Sequence, residues 1–555
     1  MVAAPLCSTA GTARADEPSP PPRPPHEAGS RLPSFQPDQQ VSDGSVSVRG
    51  QRIDYQAVAG TLVVHPKGWD DADPNNPRNG APATDENRPK DDHNPTAEAR
   101  MFYVAYLRKG AKPENRPITF LYNGGPGSAT VWLHMGAFGP RRVVTLDDSH
   151  DDAAPYKLIN NDDSLLDASD LVFIDAPGTG FGRIAGKDKE KAFYNTDGDA
   201  DAFTSFIAQF LARFGRFNSP KYLFGESYGT TRSAIVVNKL QSEKGIDFNG
   251  VMLLSQILNY NSSVDRPENN PGIDLPYVLA LPTYAATAFY HHRLPQQPAD
   301  LRKFLDEVEQ FAVSDYQGAL DAGTALDPAR RDAVAEKLHA YTGLPVEYIR
   351  KAELRVNGGE FEKTLQGDRD IDTGRLDTRF SGPTMDPLGQ RAEYDPQSAA
   401  ISSAYISAFN DYARKQLHYG SQPNQGEDGY LEYKMSANNI RDWGFTHQLP
   451  GQSYPARGVP NVLPDLGMAM KYNPKLRIQL DQGYYDLATP YFEGVFEMRH
   501  LPIPRTLAGN VEIRQYQSGH MVYANEAALK QLHDNAADFI RRTDNLKPDT
   551  MPAAH

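Results

Sequence analysis

The strongest constraint on the fold of this chain is a rhythm. Short apolar or β-branched runs recur along it: ITFLY (118–122), DLVFID (170–175), KYLF (221–224), VMLLS (251–255), LRIQLD (476–481) and VEIRQY (511–516). Between several of them lie stretches with apolar residues at helical spacing, such as DAFTSFIAQFLARF (201–214) and TTRSAIVVNKLQ (230–241). The amphipathic NEAALKQLHDNAADFIRR (525–542) closes the series. Strands alternating with helices imply an α/β chain with a mostly parallel sheet covered on both faces. Upstream, SVSVRG, QRIDYQAVAG and TLVVHP alternate and are punctuated by glycine, which predicts antiparallel hairpins; ARMFYVAYLR reads as a further strand.

The rhythm breaks in three places. Residues 16–44 are rich in Pro, Ser, Asp and Gly and predict an unfolded linker. Residues 68–98 are polar and laden with Pro, Asn and Asp, and predict a mobile loop. Residues 275–445 carry helix-like stretches without intervening strands, DLRKFLDEVEQFAV, DPARRDAVAEKLHAYTG and QSAAISSAYISAFNDYARKQL, which predict an inserted, mainly helical cap. The core is then expected in two parts, 45–274 and 446–545, followed by a tail, 546–555. At the start, Ala13-Arg14-Ala15 after a short weakly apolar stretch resembles the end of a secretory leader, so 1–15 predicts export to a periplasm or the exterior. The 555 residues, 39% hydrophobic and 23% charged, suffice for a large core. A net charge of −14 with no basic stripe argues against nucleic acid as a partner. No run of about 18 apolar residues predicts a membrane span. The single cysteine, Cys7, excludes a disulfide within the chain and any Cys-based metal site, and no His/Asp/Glu cluster has ligand spacing, so no cofactor is expected.

The chemistry concentrates after the run 221–224, in FGESYGTTRSA. A serine between two glycines, after a strand and before a helix, suits a sharp turn that pushes the side chain at its tip outward. A surface turn gives the same pattern by chance. A serine hydroxyl needs a base, and the base an orienting carboxylate. Two later sites follow Ser227 in the order Ser, Asp, His: Asp486 in LDQGYYDLATPY, and His520 in QYQSGHMVY. Each alone is more often a turn former or a surface residue; all three at strand ends, in order, make a catalytic set. The glycine-rich FLYNGGPGSATVW (120–132) can present backbone amides to an oxyanion, with the N–H of Tyr228 as the other donor. It also reads as an ordinary turn or a phosphate cradle, although a G-K-[ST] ending is absent.

NGGPGSATVW, DLVFIDAPGTGFGR, FGESYGTTRSA, DQGYYDLATPY and SGHMVY together resemble the serine carboxypeptidase family, in order and approximate spacing, over about residues 100–540. The lack of core cysteines and the stretch WLHMGAFGPRRV are similar to its bacterial branch. The resemblance implies an α/β-hydrolase fold and hydrolysis of the C-terminal bond of peptide substrates. It implies Ser227 as nucleophile, Asp486 as orienting acid and His520 as base. Gly125 and Tyr228 would supply the oxyanion amides. Asn123, Gly124 and Glu226 would hold the substrate's terminal carboxylate; a structural carboxylate at a helix start is the plainer reading of Glu226. A carboxylic acid that binds a carboxylate must be protonated. The family pairs this glutamate with a second one in an E-x-G-P pattern, where GAFGP here places Ala137. An esterase, amidase or acyltransferase on the same triad, or a non-catalytic binding protein on a decayed hydrolase fold, are the alternatives.

Overall fold

The computed structural model describes residues 35–69, 96–421, 431–438, 440–456 and 458–546. The leader expected at 1–15, most of the linker and of the polar loop, and the end of the tail lie outside the described residues. Ten strands form one sheet. Its first part is antiparallel: β1 (Gln39–Val48), β2 (Gln51–Val64) and β3 (Glu98–Arg108), with the short strand Arg183–Ala185 also on β3. Then follow β4 (Ile118–Tyr122), β5 (Asp170–Ile174), β6 (Lys221–Glu226), β7 (Gly250–Leu254), β8 (Arg477–Gly483) and β9 (Val511–Tyr516). The spatial order is β1-β2-β3-β5-β4-β6-β7-β8-β9, antiparallel up to the β3–β5 pair and parallel from β5 onward. Every residue of β4, β5, β6 and β7 is buried, as strands covered on both faces must be. Each fully buried Leu or Phe there contributes about 2 kcal/mol.

Two expectations need correction at the N-terminal edge. The linker predicted to run to residue 44 already pairs from Gln39, with Ser42 opposite Ala57 and Gly44 opposite Tyr55. Its composition misleads because the Tyr55 ring lies over Gly44, where a Cβ would come within 2.5 Å of the ring, so the glycine is a packing requirement. QRIDYQAVAG and TLVV are one continuous strand, β2, in place of two.

The helices α1 (Thr196–Arg213) and α2 (Tyr228–Lys244) pack on each other and on the sheet. The region 275–445 divides where a single cap was expected. The helices α3 (Leu275–Tyr290), α4 (Leu301–Phe311) and α5 (Pro328–Thr342) share a separate hydrophobic cluster, including Val278, Leu281, Leu305, Val308 and Leu338, which Leu487 and Tyr491 of the later core part join. The helix α6 (Pro396–Lys415) instead buries Ile401, Tyr405, Phe409 and Tyr412 in the core that also holds Tyr106 and Phe138. Its apolar residues at i, i+4 and i+8 make that stripe. Three more helices, α7 (Leu463–Tyr472), α8 (Tyr491–Arg499) and α9 (Glu526–Thr543), complete the layers. Among the described residues no helix is long and apolar enough to cross a membrane.

His447 pins the returning chain to this frame. Its Nδ1 lies 2.6 Å from Asp197 Oδ1 on α1 and its Nε2 2.9 Å from Asp465 Oδ2 on α7. Both nitrogens can donate only in the imidazolium. Burial pushes the ring down, but the two carboxylates outweigh it and raise it to about 9. Because the folded value lies above the unfolded one, the stabilisation is complete below pH 6.5 and is lost as pH rises through about 9. The window is worth on the order of 3 kcal/mol. Burial also raises the carboxyls of Asp175 and Glu497 to about 7 and of Glu362 to about 8, with the same sign. Denaturant titrations from pH 5 to 10 should therefore show stability falling with pH. His447→Gln should flatten the part of that fall above pH 8; an unchanged slope there would refute the role of this pair.

Candidate active site

The turn after β6 is dictated by glycine. Ser227 has φ 59° and ψ −130°, a conformation that L residues rarely adopt. A Cβ on Gly225 would run into the carbonyl of Gly229 and lie 2.5 Å from Ser233 Oγ; one on Gly229 would lie 2.9 Å from the Tyr122 carbonyl. Strand and helix thus meet backbone to backbone, and the Ser227 N–H donates to the Leu254 carbonyl at 2.9 Å. Ser227 is half-buried at the tip.

His520 and Asp486 approach from the two loops that follow β9 and β8. Asp486 Oδ2 lies 2.8 Å from His520 Nδ1. The same carboxylate accepts from the N–H groups of Ala488 and Thr489 at 2.9 Å each and from Thr489 Oγ1 at 2.7 Å. It is fully buried, and these three donors fix it. With Nδ1–H committed to Asp486, the other ring nitrogen is left to accept a proton. Burial pushes the imidazole down; the Asp486 carboxylate, by charge and hydrogen bond, carries the net shift upward. Ser227 and His520 line one cavity of about 240 Å³.

The loop after β4 enters the same cavity. A Cβ on Gly124 would collide with the Tyr228 N and lie 2.6 Å from the Gly229 N, so only glycine lets this loop reach the start of α2. Gly125, with φ 104°, is exposed beside it. Asn123 and Glu226 are both buried at the cavity wall. Burial raises the Glu226 carboxyl to about 7, against the opposing pull of His520, Tyr523 and Asn123. All eight residues singled out in the sequence, Asn123, Gly124, Gly125, Glu226, Ser227, Tyr228, Asp486 and His520, therefore meet, seven lining the cavity directly and Asp486 behind His520.

Other lining residues carried no signal that tied them to the site. Trp132 lies within the quoted glycine loop, but Arg375, Leu376, Gln397 and Ile401 come from the insertion. The insertion also holds His520, whose N–H donates to the Leu376 carbonyl at 2.7 Å. The most informative omission is Tyr523, three residues after His520, whose Oη donates to Glu226 Oε2 at 2.8 Å.

A mostly parallel sheet with a serine turn after its central strand, and loops after the last two strands that carry Asp486 and His520, defines the α/β-hydrolase fold. Residues 92–278 match the family model described as serine carboxypeptidase. A pheromone-processing carboxypeptidase of Yarrowia lipolytica is 30% identical over 145 residues, 26% of this chain and 22% of the relative. A serine carboxypeptidase-like protein of Oryza sativa subsp. japonica is 27% identical over 135 residues, 24% of this chain and 29% of the relative. The matches thus span less than a third of the length of these curated relatives. The crystal structure of a prohormone-processing carboxypeptidase from Saccharomyces cerevisiae has the same fold, with a TM-score of 0.50 at 15% identity, covering 88% of this chain and 91% of that one.

Proposed function

We propose that the protein is a serine carboxypeptidase that removes the C-terminal residue of peptides. The observation that carries this reading is Glu226. It is a buried carboxyl whose burial raises it to about 7, bonded by Tyr523, in the wall of the cavity that Ser227 and His520 line. A protonated acid there can donate to a substrate's terminal carboxylate, where an ionised one would repel it. His520, oriented by Asp486, takes the Ser227 proton as Oγ attacks the last peptide carbonyl. The oxyanion is received by the N–H groups of Gly125 and Tyr228. His520 passes its proton to the departing amine, the C–N bond breaks, and water, activated in the same way, clears the acyl-enzyme. Ala137 in place of a second carboxyl favours a second reading, an esterase or amidase on the same triad.

An N-acylated dipeptide with a free C-terminus, run beside its amidated form from pH 5 to 9, separates the two. The carboxypeptidase reading expects release of the last residue from the free acid alone. Its KM should climb as pH passes about 7 and Glu226 ionises. Glu226→Gln should remove that climb, since an amide donates at every pH. Equal cleavage of both substrates would establish the second reading. The Ala13-Arg14-Ala15 stretch supports export as part of the same proposal; the N-terminal residue of the mature protein tests it.

A further inference from the structure

Among the described residues no carboxyl is hydrogen-bonded to Glu226, but a phenol is. Ala137, at the place where the family pattern has glutamate, is fully buried and carries no polar group. Next to it, Gly136 packs under the Tyr523 ring: a Cβ there would lie 2.8 Å from two ring carbons and would collide with the Tyr405 hydroxyl. Tyr523 reaches past this glycine to donate its phenol hydrogen to Glu226 Oε2 at 2.8 Å. Both side chains are buried.

We propose that Tyr523 is the positioning residue of Glu226, taking over the holding function that a second carboxyl at position 137 would perform, so that terminal carboxylates are recognised by one acid held in place by a phenol. The inference rests on the carboxypeptidase reading above. Its chemistry is directional. A phenol hydrogen donated to Oε2 engages that oxygen as an acceptor, which favours the acid proton of Glu226 on Oε1. A pair of carboxyls shares a proton that either member can lose. The phenol keeps its own, because burial drives it well above its ordinary range. Loss of terminal-carboxylate recognition with rising pH then follows one group, Glu226. The titratable or charged groups around it are His520, Asp486 behind it, Tyr405 and Tyr523 itself.

The test replaces Tyr523 by Phe and, separately, by a fluorotyrosine of nearly unchanged volume, with Ser227 labelling by a fluorophosphonate verifying that each variant is folded. The substrate pair is an N-acyl dipeptide and its C-terminal methyl ester. Tyr523→Phe should raise KM for the free acid about fivefold relative to the ester, the size of one hydrogen bond to a neutral group. It should also move the KM transition to higher pH, because the ionised form of Glu226 has lost a donor. Fluorotyrosine, a stronger donor, should move it to lower pH. Opposite displacements are not produced by a merely structural residue. Transitions that move together, stay put or affect acid and ester alike overturn the proposal. If neither substrate is cleaved while Ser227 is still labelled, the carboxypeptidase reading falls; protection of Ser227 from the label by an N-acyl amino acid, titrated over the same pH range, then decides the role of Tyr523 by the same displacements.

Discussion

Ser227→Ala should lower release of the terminal residue by about 10⁵- to 10⁶-fold and abolish fluorophosphonate labelling. The expected loss is large because in the proposed mechanism the serine forms the covalent bond on which every later step depends. It should come without a loss of fold. The φ of 59° at position 227 burdens alanine no more than serine, and no side-chain hydrogen bond caps α2 from this position. Melting of the variant should therefore match the parent. Residues that act as one unit are not additive, so Ser227→Ala combined with His520→Ala should be no slower than either alone. Asp486→Asn leaves the hydrogen-bonding geometry near His520 but favours the wrong ring tautomer, and a fall of about 10⁴-fold in kcat is expected. Activity retained in Ser227→Ala would remove the acyl-enzyme mechanism altogether.

The parts of this site that were legible in the sequence are those that backbone geometry imposes. Gly225 and Gly229 must be glycine because strand and helix touch there, and Gly124 because its loop touches the helix start. Such requirements write themselves as short motifs. The parallel strands were legible for a similar reason: a strand buried on both faces reads as a continuous apolar run. Where one face packs on a particular partner, the pattern failed. Gly44 looks like a linker residue until the Tyr55 ring is placed over it. The helix α6 looks like cap until Tyr405 and Tyr412 are found in the main core. Arg375 was illegible because it reaches the cavity from about 150 positions beyond Ser227 by tertiary packing, paired at 2.7 Å with Asp265. Tyr523 lay inside a motif already noticed, but nothing in SGHMVY distinguishes a tyrosine that bonds a carboxyl from one that fills space.

One buried pair links the stability of the fold to the site, and Asp199→Ala should expose the link. Arg232 on α2 and Asp199 on α1 are both wholly inaccessible to solvent, joined by bonds of 2.6 and 3.1 Å. The guanidinium lies 4.1 Å from the centre of the Phe203 ring and also faces Tyr122 and Tyr228. Its remaining arm donates to the Asn123 carbonyl at 2.8 Å. It therefore holds the first residue of the glycine loop against the helix that carries the elbow. Removing Asp199 leaves a charge buried without its partner, which should cost about 3–5 kcal/mol in a denaturant titration. Replacing both residues by apolar ones of similar size, Asp199→Leu with Arg232→Met, should restore most of that stability, because a buried pair is worth little more than good packing. Activity should not return with it. Without a guanidinium the Asn123 carbonyl loses its donor, the loop is freer to drift from Tyr228, and kcat/KM should remain about 10²-fold down, the size of a misplacement near 1 Å. If the double variant were both stable and fully active, the pair would serve the fold alone, and the placement of the glycine loop would have to come from the contact of Gly124 with the helix start.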